Sequence, residues 1–206
     1  DMAIAKNAAE KIVDGDVILT YGDSEAVRVL LQETIATTSK KFRVIVVDSR
    51  PLLEGKTLLK ELRRANVECT YILLNALSFV MNQVTKVFLG AAALMSDGSV
   101  VSRVGTACVA LAAKAKGVPV LVCGETYKIS NRVYLESITS NEMGNPQDVL
   151  QGELGPNLRV INLLYDLTPS EFVSGIVTEM GILPATSVAV LLREMNPQDT
   201  DSAFAS

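Results

Sequence analysis

The feature that most constrains the fold is an alternation of short apolar runs with helix-period segments. The run FRVIVVDSRP, residues 42–51, is almost continuously β-branched, as expected for a parallel strand that is covered on both faces. A helical segment from Glu25 to about Thr37 precedes it, with Ser24 as the expected N-cap, and another follows at 56–65. This alternation predicts an α/β fold, a doubly wound, mostly parallel Rossmann-like sheet flanked by helices.

The rest of the chain follows the same pattern, and we expect residues 1–206 to form a single Rossmann-like domain. Residues 1–14 predict a helix, ended by Gly15, that leads in from an N-terminal part outside this sequence. The stretch 139–157 has no period and predicts a long loop. The other expected elements are strands at 16–22, 68–74, 86–91, 119–125 and 159–166, helices at 76–81 and 106–116, a loop at 91–105, a capped turn at Thr168 and an apolar element at 187–194.

Composition excludes several classes of protein. Apolar residues make up 49% of the 206 residues but aromatic residues only 5%, which predicts aliphatic packing between sheet and helices and apolar surface left for partner subunits. The formal charge of -4 gives no basic field, so we expect no direct nucleic-acid binding. No apolar run has the length of about 18 residues that a membrane span needs.

Histidine is absent, which excludes catalytic triads that depend on histidine and removes the commonest metal ligand. The three cysteines, Cys69, Cys108 and Cys123, lie in apolar stretches without CxxC spacing, and an odd number leaves at least one unpaired. They are typical of reduced core thiols in a cytosolic protein. We predict no metal and no cofactor.

Two arginines follow predicted strands at the edge where the ligands of such sheets bind. Arg50 beside Asp48 is suited to recognising hydroxyl and phosphate groups; alternatively, Asp48 is a cap that pairs with Arg50. Arg103 precedes Gly105 and Thr106 at a helix start, where free amides favour an anion; alternatively, these two are ordinary first-turn and packing residues. Neither a GxxxxGK[ST] nor a GxGxxG string is present.

Carboxylates also lie near the predicted strand ends, where the loops at 21–24, 48–55, 91–106 and 165–168 should converge. An acid/base couple among them is one interpretation, and caps and turn residues are the other. Cys123 is the one thiol near this edge, and we expect it to belong to the core. The carboxylates concerned are Asp23, Asp48, Asp97, Glu125 and Asp166.

Nearly the whole chain resembles one family. The strings are VVDSRPLLEGKTLLKEL, GAAALMSDGSVVSRVGTACVALAAKAKGVPVLVCGETYK and LLYDLTPSEFVSGIVTEMGILP. They resemble the family of initiation factor 2B regulatory subunits and methylthioribose-1-phosphate or ribose-1,5-bisphosphate isomerases. The resemblance implies the Rossmann-like fold expected above, and it allows the chemistry to be tested by position.

The reactive positions of the isomerases are replaced here. Where they carry a cysteine in a pattern like LTHCN, this sequence has LTYGD, with Gly22 at the thiol position. Where they carry a catalytic aspartate and a substrate-binding arginine in a pattern like GADRI, it has GAAAL, with Ala92 and Ala93. Losing one proton-transfer group typically costs on the order of 100- to 10,000-fold in rate, so isomerase activity should be negligible.

Two other parts of the isomerase pattern are retained in this sequence. Ser102–Thr106 resembles NKIGT and Asp48–Pro51 resembles ETRP, so the resemblance leaves a residual anion pocket of Arg50, Arg103, Gly105 and Thr106, or else a feature of folding. The alternative hypotheses are therefore an active sugar-phosphate aldose-ketose isomerase, or a module that binds a sugar phosphate or nucleotide without transforming it.

The favoured hypothesis is a non-catalytic regulatory and scaffolding subunit of a guanine nucleotide exchange complex in the cytosol. The resemblance implies beta and alpha regulatory subunits and catalytic subunits as partners, in a dimer or higher oligomer. It also implies support of exchange on initiation factor 2 and its control by phosphorylation. The late segment resembles the family's dimer interface; alternatively, Ile161 and Leu163 are core strand residues. The expected interface residues are Ile161, Asn162, Leu163, Tyr165 and Asp166.

Overall fold

The computed structural model of the chain describes residues 2–130, 142–153 and 155–195. The helices within this part are α1 Met2–Ala9, α2 Glu25–Thr37, α3 Gly55–Arg64, α4 Leu77–Val80, α5 Thr106–Ala115, α6 Pro146–Val149 and α7 Val188–Met195. The strands are β1 Val17–Tyr21, β2 Arg43–Asp48, β3 Glu68–Leu73, β4 Lys86–Gly90, β5 Ala93–Met95, β6 Val100–Arg103, β7 Val120–Cys123, β8 Ile129–Ser130, β9 Tyr165–Thr168, β10 Gly175–Thr178 and β11 Gly181–Leu183.

Seven of the strands form one sheet in the order β11-β10-β7-β4-β1-β2-β3. All neighbouring pairs are parallel except β10 with β11. The predicted doubly wound α/β fold is therefore confirmed. Because β1 pairs with both β2 and β4, the strand order reverses there, and the carboxyl ends of β1 and β4 flank the switch point where such folds bind ligands.

The central strands are buried on both faces, as the β-branched run predicts. Alternate residues of β2 belong to two separate cores: Val44 and Val46 pack with Leu30 and Leu58 on the face of α1, α2 and α3. Val47 packs on the other face with Ala110 and the rest of the core under α4 and α5. Both cores hold mainly aliphatic side chains, in line with the small aromatic fraction.

The expected loop at 91–105 is corrected by the structure, because β5 and β6 form an antiparallel hairpin there. The Ser96–Gly98 turn closes it, with the Gly98 amide donating to the carbonyl of Met95 over 2.9 Å. The expected late strand at 159–166 is also shifted, to β9, which pairs with β6 instead of joining the large sheet. These elements form a second sheet in the order β8-β5-β6-β9.

Four further details differ from the expectation. Helix α1 ends at Ala9, and Ser24 occupies the N-cap position of α2 without a side-chain hydrogen bond to that helix. The expected long loop contains α6, where the Asn145 side chain accepts from the Gln147 amide; residues 139–141 and Leu154 of that prediction lie outside the described residues. Strands β10 and β11 were not predicted. Within the described part, none of the helices has both the length and the apolarity to cross a membrane.

Candidate functional site

A cavity of about 330 Å³ lies at the switch point. The loops after β1 and β4 and the second sheet supply its walls, including Asp23, Ala92, Arg103, Glu125 and Tyr165. Three of the four loops that were expected to converge do line this cavity. The fourth, after β2, lines a crevice beside it.

Both cations that line the cavity are paired with carboxylates of the same chain. The Arg103 guanidinium donates to both carboxylate oxygens of Glu54, at 3.0 and 2.8 Å, and lies 5.1 Å from the ring centroid of Tyr165. The Lys128 ammonium lies 2.7 Å from Glu125 and also donates to the Ala91 carbonyl. Neither cation is therefore free to bind a phosphate group.

The carboxylates of the cavity differ in their surroundings. Burial is the largest single influence on Glu125 and disfavours its charge, but the hydrogen bond and positive charge of Lys128 together with a backbone hydrogen bond outweigh it and hold the pKa of Glu125 below its usual value. Burial raises the pKa of Asp23, and the Arg28 guanidinium at 3.7 Å opposes that shift only in part. Glu25 is exposed at the rim. The cavity thus holds acidic groups, although none occupies the position of the isomerase aspartate.

Arg50 and Arg103, the two arginines of the predicted anion pocket, both line the neighbouring crevice. Its volume is about 20 Å³, room for roughly one water molecule. Arg50 itself is exposed. The structure therefore brings the two arginines to one crevice but leaves no space for a sugar phosphate between them.

Tyr21 lines both the cavity and the crevice and separates them. Its hydroxyl lies 2.7 Å from Ser49 Oγ and donates to the Val104 carbonyl, and burial raises the pKa of Tyr21 to about 12. Gly105 has φ +105°, and a Cβ there would lie 2.3 Å from the Tyr21 hydroxyl oxygen. Glycine at position 105 is therefore required by the position of Tyr21 as well as by its backbone.

The start of α5, where an anion was expected, is occupied by Asp166. Its Oδ2 accepts from the Gly105 amide at 2.7 Å and from the Ala107 amide at 3.1 Å. Burial raises the pKa of Asp166 to about 6, although both amide hydrogen bonds oppose the shift. The Thr106 hydroxyl donates to the Arg103 carbonyl at 2.6 Å. Gly105 and Thr106 thus have partners within the chain.

The cavity and the crevice together are called the cleft. The positions that are reactive in the isomerases are distributed around it. Gly22 has φ +64° and lines the crevice, Ala92 lines the cavity, and Ala93 begins β5. Among the described residues, no thiol lines either space: Cys123 is fully buried, and burial raises its pKa to about 12. Nor do these residues contain a cluster of three or more groups that could hold a metal ion.

The expected interface residues have unlike environments. Ile161 is 52% exposed, whereas Asn162 is buried and its amide donates to the Asn145 carbonyl at 2.8 Å. Leu163 forms an isolated antiparallel bridge with Met143 and is partly buried. Tyr165 and Asp166 contact Arg103 and α5 as described above. Their role at an interface stays a prediction.

Sequence reasoning missed Tyr21 and Glu54 altogether, and it named Asp166 both as an interface residue and among the carboxylates that would be an acid/base couple or caps, without the helix that Asp166 caps. Tyr21 ends a strand beside a glycine, which resembles a turn, and Glu54 lies 49 residues from the arginine that it binds. No short-range pattern contains such partners. One signal for Tyr21 was present in the sequence: it lies directly before Gly22, within the LTYGD string that the isomerase resemblance had already identified.

The chain was compared with known proteins. The profile of the Initiation factor 2 subunit family matches residues 1–185. The chain is 48% identical to translation initiation factor eIF2B subunit delta of Dictyostelium discoideum, over 94% of the chain and 33% of that protein. It is 34% identical to ribose 1,5-bisphosphate isomerase of Pyrococcus furiosus, over 93% of the chain and 60% of that enzyme.

One solved structure similar to this chain is the tetrameric eIF2B-beta2-delta2 complex from C. thermophilum. The TM-score is 0.77 at 34% sequence identity, and the match covers 86% of the present chain and 55% of the chain in that solved structure. The strings PVLVCGETYK and SNEMGNPQDVL favour the delta subunit within the family, and these similarities confirm that prediction. The chain spans only about a third of the Dictyostelium delta subunit and 60% of the isomerase.

Proposed function

This chain belongs to the Initiation factor 2 subunit family, and from that premise we propose that it forms part of a non-catalytic regulatory and scaffolding subunit of the eIF2B guanine nucleotide exchange complex. The observation that carries the proposal is the cleft at the switch point. Its isomerase positions hold Gly22 and Ala92, and the two cations that line the cavity, Arg103 and Lys128, are paired with carboxylates of the same chain. Residues 1–206 would act as one domain in the cytosol.

Its partners in this proposal are the beta and alpha regulatory subunits and the catalytic subunits. The complex would act on initiation factor 2 and respond to its phosphorylation. Support comes from the similarity to eIF2B delta and to the beta2-delta2 complex. The contribution of this chain is assembly and transmission of the regulatory state, while the exchange chemistry belongs to another subunit.

The surface proposed for the beta subunit surrounds Ile161. Three large apolar side chains are about half exposed there: Leu52, Met143 and Ile161. Met143 pairs with Leu163, and Leu52 and Leu163 line the same crevice. Apolar side chains that remain exposed near one another are typical of a surface that a partner covers.

Coexpression with a beta subunit and size-exclusion chromatography test this proposal. We expect a stable complex with the parent chain and its loss, or an affinity at least tenfold lower, in Ile161→Asp, because a carboxylate would be buried in an apolar contact.

Val13→Asp is the matched control. Val13 is 53% exposed, against 52% for Ile161, but it precedes β1 and so lies at the amino ends of the parallel strands, away from the cavity and the crevice at their carboxyl ends. We expect this variant to bind the beta subunit like the parent. A chain that stays monomeric with the beta subunit present, or equal losses in both variants, would contradict the proposal.

The isomerase alternative is tested by turnover of ribose 1,5-bisphosphate. The carboxylates of Asp23 and Glu125 keep it open, since both line the cavity. We expect no turnover, because the thiol position is a glycine, Gly22, and the position of the catalytic aspartate is an alanine, Ala92. A thermal shift with the same compound tests the binding module.

A further inference from the structure

A stripe of cations lies on the exposed side of α3. Lys56, Lys60, Arg63 and Arg64 are all exposed and fall within about 100° of the helix circumference. Three of them, Lys60, Arg63 and Arg64, surround a shallow concavity of about 310 Å³. The opposite side of the helix carries Leu58 and Leu62, which are buried against the sheet. We call the four cations the α3 stripe.

The α3 stripe has no carboxylate partner in the part of the chain that the structure describes. The one acidic residue within α3, Glu61, is directed away: it accepts from Arg28 at 3.4 Å and from Gln32 at 3.0 Å, both on α2. Four positive charges thus remain unneutralised on a chain whose net charge is -4. This local excess favours an anionic partner.

The edge of the large sheet lies beside the α3 stripe. Strand β3 pairs with β2 on one side, and no other described strand pairs with its outer edge. Helix α3 packs on β2 and β3. The Arg63 guanidinium is close enough to Cys69 of β3 to oppose the effect of burial on the pKa of that thiol. Among the described residues, the outer backbone groups of β3 and the cations of the α3 stripe therefore adjoin each other without partners.

We propose that an acidic extended polypeptide segment docks along the outer edge of β3, with its carboxylates against the α3 stripe. Backbone groups at a strand edge bind a peptide as an added strand, and the alternate side chains of that strand set specificity. Nucleic acid has no such backbone, and the exposed Glu68 at the start of β3 would repel a continuous polyanion. A short acidic segment satisfies both surfaces.

Fluorescence anisotropy tests the proposal with the 206-residue chain and a labelled peptide of alternating glutamate and valine, about eight residues long. We expect binding that weakens with salt, and an affinity about tenfold lower in the triple variant Lys60→Gln, Arg63→Gln, Arg64→Gln, since exposed ion pairs contribute modestly each. A lysine-valine peptide should not bind.

The control is the triple variant Lys11→Gln, Lys41→Gln, Lys116→Gln, which removes the same charge from exposed lysines in loops outside α3 and β3. We expect it to bind the acidic peptide like the parent. Hydrogen exchange should show that the peptide protects the amides of β3. Equal loss in both triples, binding without protection of β3, no binding at low salt, or tighter binding of a single-stranded oligothymidylate would overturn the proposal.

Discussion

The cleft at the switch point and the α3 stripe both present positive charge, and they differ in what that charge contacts. In the cleft, Arg103 and Lys128 are bound by Glu54 and Glu125, and the start of α5 is occupied by Asp166. On α3, four cations have no carboxylate partner within the described part of the chain. The cleft resembles a binding site in its sequence, but its charges are paired. The α3 stripe matches no such motif, and its charges are unpaired among the described residues.

The difference teaches that an arginine in a family motif does not by itself indicate a binding site. A charge that is already paired contributes little attraction to a ligand, because the ligand must first displace the internal partner. In the cleft the internal partners come from other elements, so the cations there join parts of the fold to one another. The following predictions test how firmly these internal contacts are held.

The largest expected effect is at Gly105. In Gly105→Ala, the new Cβ would meet the Tyr21 hydroxyl at 2.3 Å, and the residue would have to keep φ +105°. We expect a loss of about 3 kcal/mol in the free energy of unfolding, measured with urea, from backbone strain and overpacking together.

Gly117→Ala is the control for Gly105→Ala. Gly117 has φ +69°, but a Cβ there would meet nothing within 4 Å, so we expect only the backbone cost of about 1 kcal/mol. Equal losses in the two variants would mean that Tyr21 moves aside easily and is not held in place by packing.

The next effect concerns Asp166 and pH. The pKa of Asp166 is about 6 in the folded chain, above the ordinary aspartate value of 3.8, so at pH values between these two the folded state binds the proton more tightly than the unfolded state. Its contribution to stability therefore falls as pH rises from about 4 to 6. In Asp166→Asn this dependence is absent, so the stability of the variant relative to the parent should rise by about 2 kcal/mol across that window.

Urea unfolding of the parent and of Asp166→Asn from pH 4 to 7 measures this difference in unfolding free energy. The contributions of groups that titrate alike in both proteins cancel in the difference. The asparagine can still accept from the Gly105 amide, which keeps the start of α5 capped. A relative stability that stays constant with pH would show that Asp166 titrates normally and that an external anion could replace it.

The smallest effect compares a paired with an unpaired arginine. Arg103→Gln removes two hydrogen bonds to Glu54 and the contact with Tyr165, and we expect a loss of up to about 1 kcal/mol in unfolding free energy. Arg64→Gln should change stability by less than about 0.5 kcal/mol, because no ion pair is lost. Similar losses of unfolding free energy in the two variants would contradict the contrast between the paired cations of the cleft and the unpaired cations of the α3 stripe.

Much of the fold could be predicted because its signals are local. The β-branched run at 42–48 and the helical period at 25–37 needed only neighbouring residues, and the ends of α2 fell where the period indicated. The hairpin of β5 and β6 was missed because its strands have three and four residues and form by pairing with each other and with β9. Strands that short lack a periodic signal of their own.

The same distinction applies to the cleft. The position of the site at the strand ends, and the identity of the residues at the isomerase positions, followed from the sequence. That Arg103 binds Glu54, that Asp166 caps α5, and that Tyr21 divides the cleft did not. Each of these contacts joins residues 28 to 61 positions apart.

The sequence by itself determined the layer architecture, the family and the residues at the former reactive positions, since these depend on local periodicity and on residue identity. Only the tertiary structure decided which charges are paired. Ion pairs form between side chains that folding brings within about 4 Å, and that proximity is set by the packing of whole elements. For this reason Arg103 of the motif has an internal partner, Glu54, whereas the cations of α3 have no carboxylate partner among the described residues.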